Sequence, residues 1–264
     1  MSQPDASPAL TALKEWWSEM GVDVDEADIR AVLKGSGPAK APPEQGQKRV
    51  KPRPIRKQKT HDDWVDEARQ LALAAGSMAE LRAAIEGFEG CMLKEAARNA
   101  ACFDGVEGAP VMVIGEGPGV EEDRQAKPFV GKAGQLLDRM LGAIGLSRAT
   151  NVFITNVNYW RPPGNRTPSD EELELCRPFV DRMIDLGRPK LIIAAGGVSS
   201  KSLLQASIGI TKLRGTEQTL TTPGGYSGPL FPIFHPAFLL RRPEEKSRAW
   251  RDLLQIQEKL EGLN

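Results

Sequence analysis

The stretch "VMVIGEGPGVEED", Val111 to Asp123, joins four consecutive apolar residues to a loop with three glycines and then to a run of acids. Two valines, a methionine and an isoleucine closed off by glycine have the length and branching of a strand buried on both faces. Three later runs share that character: "VFIT" (152–155), "KLIIAA" (190–195) and "FPIF" (231–234). Between and after them, "GQLLDRMLGAIG", "SDEELELCRPFVDRMIDLG", "VSSKSLLQAS" and "PEEKSRAWRDLLQIQEKLE" have helical patterning. Strand alternating with helix predicts an α/β fold, a three-layer αβα sandwich around a central, mainly parallel four-stranded sheet. Ligands of such sheets bind outside the carboxyl ends of the strands, so the segments from Gly115, Asn156, Gly196 and His235 onward are the candidates for chemistry.

Each of those exits has its own chemistry. Gly115, Gly117 and Gly119 permit a tight turn and the close approach of another backbone or a ligand. Their spacing suggests a dinucleotide loop, but Pro118 stands at the helix entry and Glu116 points an acid at the phosphate position. Glu116 suits holding a water or facing a developing positive charge, or else it caps a helix. Asn156 ends a buried strand, where its amide needs a partner. Arg161 and Arg166 flank prolines in "RPPGNR", and turn formation alone accounts for Asn165. His235, one of two histidines, precedes Pro236; the ladder cannot continue and a helix is not expected to start, so the chain turns and presents the imidazole at the sheet's end. Leu239 and Leu240, beside Arg241 and Arg242, suit an exposed wedge between base steps with phosphate clamps, or they pack under the following helix.

The rest of the chain bounds these possibilities. With 264 residues, 40% of them hydrophobic, there is enough apolar material for one large domain with appendages. Thirty-five basic residues balance thirty-five acidic ones, so a polyanion must be attracted by a local patch. No targeting pattern or membrane-length apolar run is evident, and the expected location is the cytoplasm. Residues 9–20 predict an amphipathic helix within an amino-terminal extension (1–34). Residues 35–61, with seven basic side chains and no acid between Lys48 and Lys59, predict a flexible linker that is either a solvated tether or a DNA-contacting arm. Two leading helices over 62–87, broken near Gly76, open the α/β domain (62–264), the second capped by Ser77 with Glu80 at capping-box spacing.

"GEGPGVEED", "KPFVGKAGQLLD", "TNV", "RPPGNR", "ITKLRG" and "HPAFLLR" occur in an order that closely resembles the family 4 uracil-DNA glycosylases of bacteria and archaea. The resemblance runs from about Phe88 to about Leu260. It implies a monofunctional enzyme of base excision repair that flips uracil out of single- or double-stranded DNA, hydrolyses its N-glycosidic bond and works as a monomer. It also implies roles by position: Glu116 positions the water and faces the sugar cation, and His235 hydrogen-bonds the departing base. Phe129 stacks on the uracil, Asn156 reads its edge, and Glu122 crowds the 5-position against thymine, with Gly115 and Gly117 lining the pocket. Arg161, Asn165, Arg166, Leu239, Leu240 and Arg241 would meet the DNA. A non-catalytic DNA-binding relative serving a repair polymerase is the alternative, and a nucleotide-binding enzyme the weakest.

Relatives of this type hold a four-iron, four-sulfur cluster through four cysteines. Cys91 and Cys176 match two of the positions, while Phe88 and Trp160 occupy the other two and Cys102 aligns with none. Two thiolates do not hold such a cluster. The expectation is therefore that no cofactor is bound and that Phe88 and Trp160 fill the space by aromatic packing. Ala126, where the family has glycine before "PFVG", is expected to shift Phe129.

Overall fold

A computed structural model describes residues 59–263. The expected extension 1–34 and all of the expected linker except its last three residues lie outside them. Helix α1 (His61–Ala74) begins where the Thr60 hydroxyl accepts a hydrogen bond from the Asp63 amide and the Asp63 carboxylate accepts one from the Thr60 amide. Helix α2 (Met78–Gly87) starts at the Ser77 cap, and the Glu80 carboxylate accepts from the Gly76 amide. A short helix, α3 (Leu93–Ala96), leads to β1 (Phe103–Gly105).

The four expected strands are present. They are β2 (Val111–Gly115), followed by helices α4 (Val120–Gln125) and α5 (Lys132–Gly142), β3 (Val152–Asn156), β4 (Leu191–Ala195) and β6 (Ser227–Ile233). Helix α6 (Asp170–Gly187) joins β3 to β4; helices α7 (Gly197–Leu204) and α8 (Ile210–Leu213) and strand β5 (Gln218–Thr221) lie between β4 and β6. The chain continues through α9 (Pro236–Arg241) into α10 (Lys246–Glu261). The strand count needs correction: among the described residues the sheet has six strands in the order β1-β3-β2-β4-β6-β5, with β1 and β5 added antiparallel at the two edges. Neither "FDG" nor "QTLT" has the apolar run that marked the others, and edge strands have less need of one. No described helix is long and apolar enough to cross a membrane.

Alternation along the central strands builds two cores. Met112 and Ile114 join Phe153, Ile192, Phe179 and Ile184 on one face, against α1, α2 and α6. Val111 and Val113 join Ile154, Ile193, Leu137, Leu141, Leu253 and Ile256 on the other, against α5 and α10. Each such side chain contributes about 1.5–3 kcal/mol on full burial, so both faces are held and the register is fixed. The chain leaves β2 to form β3 on one side and then crosses to β4 on the other. The carboxyl end of β2 is therefore a topological switch point, where strand exits diverge and a crevice opens.

Candidate active site

That crevice is a cavity of about 490 Å³ lined by residues from four segments, among them Glu116, Gly117, Glu122, Phe129, Asn165, Arg166, His235 and Arg241. Its size lies within the roughly 300–1,000 Å³ of small-molecule clefts. Glu116 and His235, 119 positions apart in sequence, thus share one cavity.

His235 is the N-cap of α9, and its Nδ1 accepts the Ala237 amide at 3.1 Å. An amide can only donate, so Nδ1 carries the lone pair and the ring proton belongs on Nε2. Burial, and then the charge of Arg241, bring the imidazole pKa down to about 4. At neutral pH the group is a neutral donor through Nε2. Pro236 corrects the expectation that no helix starts here: at the first helical position a missing N–H costs nothing and the fixed φ is already helical. The leucines that follow are helical, not loop residues. Leu239 is buried with Phe234 and Ala249, which bears out the packing alternative for that residue, whereas Leu240 is exposed.

Glu116 is half-buried just past β2. Burial raises its carboxyl above the ordinary range, while a hydrogen bond with Thr167 and the charge of Arg241 act in the opposite direction. Thr167 was not singled out in the sequence; a threonine between arginine and proline carries no pattern of its own.

Phe129 stacks on His235 with ring centroids 5.6 Å apart and planes 29° from parallel. Its backbone stands at φ 53°, a left-handed conformation that bulky residues avoid. Ala126 is also left-handed, at φ 56°, as the C-cap of α4. Glycine fits that conformation without strain; alanine adopts it here at a cost of roughly 1–2 kcal/mol.

Glu122 lines the cavity, but its carboxylate is occupied by backbone. One oxygen accepts the amides of Val130 (3.0 Å) and Gly131 (2.8 Å), and the other accepts Gly119 at 3.2 Å. It ties the start of α4 to the segment carrying Phe129.

Asn156, at the end of β3, is buried, and its Nδ2 has no hydrogen-bond partner among the described residues. An orphaned buried donor costs about 1–3 kcal/mol unless something arrives to accept from it. Asn156 and Gly115 lie behind the lining residues. A Cβ on Gly115 would stand 2.5 Å from Asn156 Oδ1 and 2.5 Å from Phe129 Cε2, so only glycine lets β2 pass between the two side chains.

On the opposite wall, Asn165 at φ 55° accepts from Arg161 Nε at 2.6 Å. Arg166 makes a two-pronged pair with Glu172 (2.8 and 2.6 Å). Arg166 and Arg241 line the cavity, whereas Arg161 reaches it only through Asn165.

The remaining sequence candidates lie away from the cavity. Cys91 and Cys176 are both buried and share a hydrogen bond, which lowers Cys91 and, together with burial, raises Cys176. Burial pushes the Cys102 thiol up to about 12, which disfavours it as a thiolate ligand. Phe88 packs edge-on against Trp64 (5.9 Å) and Phe179 (5.4 Å), and Trp160 against Tyr159 (6.0 Å), with Tyr159 reaching Phe179 at 6.5 Å. The connection between Phe88 and Trp160 therefore runs through Phe179 and Tyr159. Two thiols and two buried rings do not fit the four-thiolate donor set of a four-iron cluster.

The profile of the family described as the uracil DNA glycosylase superfamily matches residues 103–254. A protein of Pyrobaculum aerophilum named Type-4 uracil-DNA glycosylase is 37% identical over 177 residues, which covers 66% of this chain and 90% of that one. Proteins of the same name from Sulfurisphaera tokodaii (36% over 190 residues, 69% of this chain and 84% of that one) and Saccharolobus solfataricus (40% over 177 residues, 64% and 80%) are also similar.

Proposed function

The chain belongs to the uracil DNA glycosylase superfamily, and on that premise we propose that it hydrolyses the N-glycosidic bond of uracil in DNA with the cavity beneath α9 as its active site. The observation that carries this reading is the shared cavity of Glu116 and a neutral, Nε2-protonated His235, with Phe129 stacked beside them. Splitting the bond leaves positive charge on the sugar and negative charge on the base, so a carboxylate and a fixed donor both stabilise the transition state more than the ground state. A base in the stack must first be extruded, at a cost of a few kcal/mol. In this scheme Phe129 offers a face to the flipped ring, and the unpartnered Nδ2 of Asn156 donates to a carbonyl on its edge. Glu116, the stronger base for its burial, orients the attacking water. A neutral imidazole suits the other pole: it donates to the departing anion without having to lose its own proton.

Arg161, Asn165, Arg166 and Arg241 form the DNA-facing rim, where phosphate contacts position the strand. Leu240, exposed at the end of α9, is the part of the leucine pair free to enter the duplex; Leu239 anchors the helix. Glu122 acts on thymine exclusion through the segment it holds. The same reading has a monomer, acting on single- or double-stranded DNA in the cytoplasm. It has no iron–sulfur cluster, the aromatic set around Phe88 and Trp160 supplying the packing instead. Anaerobically purified protein is expected to contain no iron.

The test is a labelled oligonucleotide with one uracil, incubated with wild-type protein, Glu116→Ala or His235→Ala and then treated with alkali. Scission is expected with wild type and a loss of about a hundredfold to a thousandfold with either variant. No scission with wild type would favour a binding-only relative, which the joint presence of Glu116, Asn156 and His235 around one site does not favour now.

A further inference from the structure

We infer that Arg148, which lines no part of the cavity, is a positioning residue that holds Phe129 in its base-stacking place. It lies in the loop between α5 and β3 and is largely enclosed. Its Nη2 donates to the Phe129 carbonyl at 2.7 Å and its Nη1 to the Pro128 carbonyl at 3.2 Å. The same guanidinium is held from behind by Asp104 (3.1 Å) and Asp138 (2.9 Å). Across the segment, the next two amides, Val130 and Gly131, donate to Glu122. Two successive carbonyls thus face a cation and the two following amides face an anion.

Such opposed anchors account for a phenylalanine in a left-handed conformation, which its own sterics disfavour. The fork of arginine matters: two donors at fixed spacing meet carbonyls of consecutive residues, and a lysine supplies only a point charge. If Arg148 merely completed an ion pair with the two aspartates, no contact to this segment would be needed. The inference rests on the role proposed above for Phe129.

A double-mutant cycle tests it, using single-turnover release of uracil from an oligonucleotide. Arg148→Lys and Phe129→Ala are each expected to slow release about tenfold to a hundredfold, the range a displacement of about 1 Å can cause. Arg148→Lys in the Phe129→Ala background is expected to cost less than about threefold more, because there is no ring left to misplace. Asp138→Asn, which breaks an ion pair but leaves both carbonyl contacts, is expected to stay within about twofold of wild type. Arg148→Gln replaces Arg148→Lys should that variant not match the wild-type circular dichroism. Equal losses from Arg148→Lys in both backgrounds, or none in either, overturn the inference while uracil release by wild type leaves the functional reading intact. No release by wild type removes that reading and the inference together.

Discussion

Gly115→Ala puts the sharpest demand on the proposed site, because one added carbon meets two of the residues that would hold the base. The new Cβ would stand 2.5 Å from both Asn156 Oδ1 and Phe129 Cε2, against the roughly 3.4 Å of ordinary contact, so each has to retreat by about 1 Å. Neither can do so freely. Asn156 ends a strand paired with Gly115 itself, and Phe129 belongs to a segment held by Arg148 and Glu122. Overpacking of this kind costs about 1–3 kcal/mol of stability. A displacement of about 1 Å at the reacting geometry costs roughly a hundredfold in rate. We therefore expect Gly115→Ala to fold, with a lowered melting midpoint, and to release uracil about a hundredfold more slowly in single turnover at saturating enzyme. Wild-type rate from a folded Gly115→Ala would refute the placement of Phe129 and Asn156 around the substrate.

Three further outcomes follow from the charges and the core. Between about pH 6.5 and 4 the unfolded chain protonates His235 and the folded one does not, so stability falls on acidification through that window. The slope approaches about 1.4 kcal/mol per pH unit at full effect, and denaturant titrations of His235→Gln should show it reduced. Activity needs the Glu116 carboxylate, whose pKa is raised by burial, so the acid limb of kcat/KM should lie above the ordinary carboxylate range. Arg241→Gln removes a charge that favours the ionised form and should move that limb to higher pH; a limb that moves down contradicts the assignment. Phe88→Ala empties a site flanked by Trp64 and Phe179 and is expected to cost about 3–5 kcal/mol in urea unfolding; a change under 1 kcal/mol would mean that the ring is not structural cement.

The parallel strands were legible because each is a short apolar run ended by glycine, asparagine or histidine, and burial on both faces leaves little else that such a run can be. Their ends marked the site for the same reason: the position of Glu116, Asn156 and His235 at strand exits follows from chain order. What local sequence could not supply was the edge strands and the conformation around Phe129. "FDG" becomes a strand only because β3 offers it a free edge, and Phe129 is left-handed because Arg148, nineteen residues later, takes its carbonyl. Pro236 misleads for a subtler reason. Proline ends one element and can begin another, and which of the two it does depends on whether the residue before it can cap; His235 can, through Nδ1. The two leucines then part ways because a helix turns Leu239 toward Ala249 and Leu240 toward solvent.

Helix α9 also imposes a mechanical constraint. Histidine at its first turn and Leu240 near its last are fixed to one another by a few backbone hydrogen bonds, with Leu239 packed between them against Ala249 of α10. The outer leucine and the imidazole are thus carried on one short rigid element. On the proposed reading, contact of Leu240 with a DNA strand and the aim of the Nε2 hydrogen-bond donor are therefore linked through one six-residue helix.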